Sequence, residues 1–240
     1  MAIAPSAGAA TIPLSWMQMT PTPFGGTPPN GSSYNVPGVG LVQINYTVTP
    51  SFSTARLNQT PIFGGDSITS GPNTYTWGPV ELFARSNLVA PPPPTLAWSI
   101  TYTFPTTMAA NSVYLGVVGL GRLDQTLPGA ISTCQVSQNG TYLGQDFGVG
   151  GPWGPNQFSS GPGTFSLQNA VSGPTTAGPN WNSALALVQI NDAINSLTVN
   201  FNQVSGDGVG LNIAVITPAP GAAAVLGLGG VALTRRRRTA

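Results

Sequence analysis

Side chains able to do acid–base or nucleophilic chemistry are scarce in this chain. It has no His, a single Cys (Cys134) and six carboxylates: Asp66, Glu81, Asp124, Asp146, Asp192 and Asp207. Without imidazole, neither a Ser-His-Asp nor a Cys-His relay can be assembled. Zinc sites built on His and Cys are excluded with them. A carboxylate pair for glycoside cleavage remains formally open, but no two of the six acids are spaced so as to stand apart from surface charges. Two glycine turns carry an acid, Gly64-Gly65-Asp66-Ser67 and Ser205-Gly206-Asp207-Gly208. A hard cation needs several oxygens. Neither turn repeats its acid, so both read as ordinary turns. Gly119-Leu120-Gly121 lacks the rest of a dinucleotide fingerprint. The expectation is a protein with no catalytic site, cofactor or metal.

Aromatic residues give the one hint of ligand binding. Trp77, Trp98, Trp153 and Trp181 are spread along the chain. An exposed indole covers a large area at little entropic cost and can stack on a sugar face. Trp98 alternates with core positions and reads as structural. Trp153, in the Gly/Pro-rich stretch Gly148–Gly163, and Trp181 are the candidate ligand contacts.

Charge narrows the choice of partner. Only 5% of residues are charged, against about 25% in a typical soluble domain. All seven basic residues are Arg, and four are consecutive, Arg235, Arg236, Arg237 and Arg238. Up to residue 234 the chain has Arg56, Arg85 and Arg122 against six acids, a balance of −3. A nucleic-acid-binding body needs a basic stripe to neutralise phosphates, and there is none. With 41% apolar residues and a net charge of +1, the chain also lacks the low hydrophobicity and high net charge of a disordered one. Its polar fraction is Ser, Thr, Asn and Gln, a balance that resembles secreted bacterial β-proteins. Cys134 has no partner for an intramolecular disulfide and reads as a small buried hydrophobe.

The elements that would position these residues are strands. Val42, Ile44, Tyr46 and Val48 alternate with Gln43, Asn45, Thr47 and Thr49, and Leu96 to Phe104 repeats the pattern. On a strand this places apolar groups on one face and amides and hydroxyls on the other. Leu197–Phe201 and Val209–Val215 alternate as well, and the glycine turn between them reads as that of an antiparallel hairpin. Less regular runs lie at Tyr75–Phe83, Val113–Leu120, Ile131–Ser137, Thr141–Phe147, Thr164–Leu167 and Leu185–Ile190. About ten short strands separated by Gly/Pro/Asn loops predict an all-β fold, an antiparallel β-sandwich or jelly roll over residues 39–216. Residues 1–38, rich in Pro, Gly and Ser, read as a signal-peptide remnant and an irregular arm. Ala7-Gly8-Ala9 has the small-x-small form of a signal-peptidase site, but the basic and apolar regions that normally precede one are missing. The stretch reads either as an ordinary flexible N-terminus or as the end of a signal peptide whose start codon lies upstream.

Residues 217–240 hold the most specific pattern. Thr217-Pro218-Ala219-Pro220 ends the β structure. An apolar run follows from Gly221 to Leu233, then Thr234 and the four arginines. Gly221–Thr234 spans about 21 Å as a helix, short of the roughly 30 Å hydrocarbon core, so it is a marginal anchor with snorkelling arginines at its end. The arginines belong on the cytoplasmic side, which leaves the body outside. A core helix would need a polar face, which Ala222–Leu233 lacks, and Gly227, Gly229 and Gly230 suit a soluble helix poorly.

This tail resembles the C-terminal sorting signals of the PEP-CTERM class. Pro218, Ala219 and Pro220 stand at the Pro-Glu-Pro triplet, Gly221 to Leu233 at the membrane segment, and Arg235 to Arg238 at the basic end. Ala219 takes the place of the glutamate, a Pro-Ala-Pro-Gly variant. The resemblance covers about a tenth of the chain and implies a tag, not a fold. It implies a short C-terminal hydrophobic helix, transient anchoring in the inner membrane, and recognition by an exosortase-like processing enzyme during export. The chain is thus expected to be an exported structural or interaction protein of the cell surface or extracellular matrix, with extracellular polysaccharide among its possible partners. The alternative is a carbohydrate-binding or adhesive module with its site near Trp153.

Overall fold

The computed structural model describes residues 9–47, 52–58, 66–87, 95–122, 131–146, 156–169, 180–182, 184–204 and 208–216. Among the described residues there are strands and no helix. In chain order they are β1 (Ala10–Trp16), β2 (Ser33–Val36), β3 (Gly40–Tyr46), β4 (Phe52–Asn58), β5 (Ser67–Ser70), β6 (Asn73–Thr76), β7 (Glu81–Asn87), β8 (Thr95–Met108) and β9 (Val113–Val118). The rest are β10 (Leu120–Arg122), β11 (Thr133–Val136), β12 (Gly140–Asp146), β13 (Asn156–Gly161), β14 (Thr164–Asn169), β15 (Asn180–Asn182), β16 (Leu185–Ile190), β17 (Ile194–Val204) and β18 (Gly208–Ile216).

Two antiparallel-rich sheets pack face to face, as the alternating runs imply. One has seven strands in the order β13-β14-β11-β17-β8-β3-β2. The other has nine, in the order β12-β16-β9-β18-β1-β6-β5, with β7 also pairing with β18 and carrying β4 on its far side. Among the described residues, only β1 and β6 pair in parallel. β10 and β15 form a separate two-stranded ribbon.

Between the sheets lies the main core. The inward positions of β3 and β8 (Val42, Ile44, Tyr46, Trp98, Ile100, Tyr102, Phe104) meet Val113, Leu115, Val117, Val188 and Ile213 from the opposite sheet. Cys134 is fully buried among them, and burial pushes its thiol pKa well above the ordinary range.

The nine-stranded sheet is buried on its other face as well. It curls so that β5 comes against β12, with Ser67 N–H directed at Asp146 Oδ2 at 3.4 Å. Inside the curl lies a second core of Leu14, Trp16, Ile68, Tyr75, Trp77, Tyr114, Leu143, Leu185 and Leu187. Every residue of β9 is therefore buried, and nearly all of β16 and β18. This explains why β9 and β16 are apolar almost throughout instead of alternating, a pattern more often found in parallel sheets covered on both sides.

Two expectations are corrected. β17 and β18 are consecutive but are not a hairpin. β17 lies between β8 and β11 in one sheet, and β18 lies between β9 and the pair β7 and β1 in the other. Both sides of each strand are occupied, so neither can pair with the other, and the chain changes sheets between them. Within the stretch 1–38, where an irregular arm was expected, β1 and β2 are built into the two sheets. Met17, Met19, Tyr34 and Val36 from the same stretch are in the main core. The expected C-terminal hydrophobic helix falls in 217–240, outside the described residues. Among the described residues no helix is long and apolar enough to cross a membrane.

Candidate functional site

The outward face of the seven-stranded sheet is a regular polar surface. None of its seven strands contains an Asp, Glu, Lys or Arg. Strand register lines up its polar side chains in rows across the sheet. One row runs Ser99, Asn200, Gln135, Ser166, Ser159, and a second runs Asn45, Thr101, Thr198. Neighbouring strands lie about 4.8 Å apart and alternate residues about 6.8 Å apart along each strand, so the side chains form a two-dimensional grid. Many are bonded to each other: Thr101 and Thr198 through their hydroxyls at 2.9 Å, Gln168 Nε2 to Gln157 Oε1 at 2.7 Å, and Asn45 Nδ2 to Gln43 Oε1 at 3.2 Å. Leu41, 63% exposed, is the large apolar exception. A grid of this kind offers neutral donors and acceptors and has no field with which to attract or repel ions.

A second feature is a cleft of about 320 Å³ on the nine-stranded side, lined by Trp16, Gln18, Phe24, Pro37, Pro79 and Glu81 among others. Its volume is within the range of small-ligand sites. Phe24 is 57% exposed, with the Arg56 guanidinium 4.3 Å from its ring centroid. Glu81 accepts from Arg56 and from the Met19 backbone N–H at 2.6 Å. Arg56 also donates to the Thr22 carbonyl. The pair therefore fastens the segment after β1 onto β4 and β7. Trp16 packs edge-on to Trp77 at 6.0 Å, and both indole N–H groups are buried with no acceptor among the described residues.

The described carboxylates are all engaged in the fold. Asp192 accepts from the Asn139 backbone at 2.6 Å and side chain at 2.9 Å, and these bonds lower its pKa. Asp66 accepts from the Ser67 hydroxyl at 3.2 Å. Among the described residues no group of three or more His, Cys, Asp or Glu could hold a metal ion.

Of the aromatic candidates, Trp98 is buried and structural, stacked on Phe201 at 4.4 Å. Trp181 lies in β15, its backbone paired with Gly121. Trp153 and the sorting-signal positions Pro218, Ala219, Pro220, Gly221 and Arg235–Arg238 lie outside the described residues. The cleft has no signal in the sequence, because Trp16 in β1, Phe24 in the segment after it and Glu81 in β7 share no local spacing. They meet only where β1 and β7 follow one another along the same strand, β18.

No protein-family model matches the chain, and no curated protein or solved structure matches it.

Proposed function

We propose that this chain is an exported structural or interaction protein of the cell surface or extracellular matrix, sorted by its C-terminal tail. The observation that carries the reading is the order of residues 217–240: Pro-x-Pro, an uninterrupted apolar segment, then four arginines. The tail would engage the inner membrane transiently and present the Pro218–Gly221 segment to an exosortase-like enzyme. The uncharged outer face of the seven-stranded sheet suits a body that works in contact with neutral polysaccharide or with neighbouring proteins. The test is localisation in a host carrying an exosortase. The full chain should reach the surface, and a chain truncated after Ile216 should not be retained there. Equal surface retention of both would remove the tail from the account.

A second reading is favoured by the cleft. Phe24 and Trp16 supply aromatic surface, and Gln18 and Glu81 supply polar atoms, a combination that suits a neutral sugar unit. Titration with neutral oligosaccharides should change Trp fluorescence in the native chain and not in Phe24→Ala. An unchanged signal across a range of sugars would set this reading aside.

A further inference from the structure

An exposed sheet edge offers unpaired backbone groups to any strand that approaches it, and among the described residues the edge strands of the two large sheets are covered with one exception. The edge of β2 is met by Gln18, whose N–H donates to Asn35 O at 2.8 Å. The edge of β4 is covered by residues 25–27: Gly25 N–H donates to Arg56 O at 2.8 Å, and Arg56 N–H to Gly26 O at 2.8 Å. The Thr27 hydroxyl donates to Thr54 O at 3.0 Å. The edges of β5 and β12 face each other.

β13 is the exception. It pairs with β14 on one side. On the other, Asn156 N–H donates to Gln145 Oε1 at 2.7 Å, so position 156 directs its N–H away from β14. By the two-residue period of a strand, Phe158 and Ser160 point their N–H and C=O groups the same way. Among the described residues no backbone partner meets them. Ser159, Ser160 and Gly161 are exposed. Phe158 stacks on Tyr142 at 5.5 Å, which holds the strand in place. β13 (NQFSSG) carries no charge, Lys or Pro, the devices by which natural edge strands usually refuse a partner.

We infer that β13 is an assembly edge whose occupant is β13 of a second copy of this chain, paired antiparallel about a two-fold axis at Ser159. In that register Phe158 lies opposite Ser160 of the other copy, and their outward groups form four main-chain hydrogen bonds. The two Ser159 side chains meet at the axis on the uncharged face, which becomes continuous across fourteen strands. With no charged residue in either seven-stranded sheet, no like-charge contact opposes the pairing. This names a partner for the structural reading above and rests on that reading only for its cell-surface setting. Measured on the purified chain, it stands or fails independently of sorting.

The test uses the full chain in mild detergent, which holds the apolar tail equally in every variant. The native chain should pass from monomer to dimer with rising concentration in analytical ultracentrifugation. Ser160→Pro removes an outward N–H without touching the β14 ladder and should abolish that dimer. Ser159→Cys, with oxidised glutathione, should give a reducible dimer, since Cα atoms directly opposite at such a position lie about 4.5 Å apart. Thr198→Cys, in the middle of the outer face, should not. Buried Cys134 contributes no background. A native chain monomeric at all concentrations, a dimer undiminished in Ser160→Pro, or cross-linking of Thr198→Cys as rapid as that of Ser159→Cys would overturn the inference.

Discussion

The indole N–H of Trp98 donates to the side-chain oxygen of Gln203 at 2.7 Å. The amide of Gln203 in turn donates to the Arg85 carbonyl at 3.0 Å, so one fully buried glutamine ties β8 and β17 of one sheet to β7 of the other. Replacing it with leucine removes one bond from a buried donor and one from a buried acceptor. Each such group costs about 1–3 kcal/mol. Gln203→Leu should lower stability by about 2–4 kcal/mol in denaturant unfolding, whereas Asn202→Leu, one residue away on the exposed face, should stay within about 0.5 kcal/mol.

The second core makes its own prediction at Gly116 in β9. A Cβ there would lie 2.6 Å from the Trp16 ring and 3.0 Å from Leu185, closer than packed atoms tolerate. Overpacking of this kind costs about 1–3 kcal/mol. Gly116→Ala should lower the melting temperature clearly. Gly78→Ala, where a Cβ meets nothing within 4 Å, should leave it almost unchanged.

Alkaline pH should unfold the protein in a defined window. Burial pushes the Tyr114 hydroxyl from its ordinary 10 up to about 12, with nearby Tyr75 adding to the shift. Burial does the same to Tyr142, also to about 12, and raises Tyr102 further. A phenol whose folded pKa exceeds its unfolded value gives stability that is complete below pH 10 and lost as pH rises through about 12. Tyrosinate absorbance and near-UV circular dichroism should therefore change together in that interval. Ionisation of all the tyrosines near pH 10 with the fold intact would contradict the burial of these rings.

Association through β13 should be insensitive to salt. Screening weakens contacts between charges, and the seven-stranded sheet has none. The dimer population should be the same at low and high sodium chloride. A steep fall with salt would assign the contact to charged residues elsewhere.

The sheet with one solvated face was legible in the sequence, because in β3 and β8 apolar and polar residues alternate and the structure buries them accordingly. β9, β16 and β18 gave weaker or misleading signals. Their second face is covered by a curl that brings β5, near residue 68, against β12, near residue 144, and no local pattern announces so distant a contact. The β17–β18 hairpin was misread because a glycine turn shows that the chain reverses without showing which sheet it enters. β1 was missed because proline and glycine around it suggested an irregular arm, while Met17 and Met19 just beyond it are fully buried. The uncharged face was visible as composition, but its rows required the register. The Trp16–Phe24–Glu81 cleft had no sequence signal at all.

Export and processing at the tail would leave a mark on the mature protein, which intact-mass analysis of the chain recovered from its native cell surface would read. The expected result is a chain that has lost the residues beyond about Pro220, or carries a covalent addition there. A full-length mass ending at Ala240, from protein found in the cytoplasm, would contradict the account.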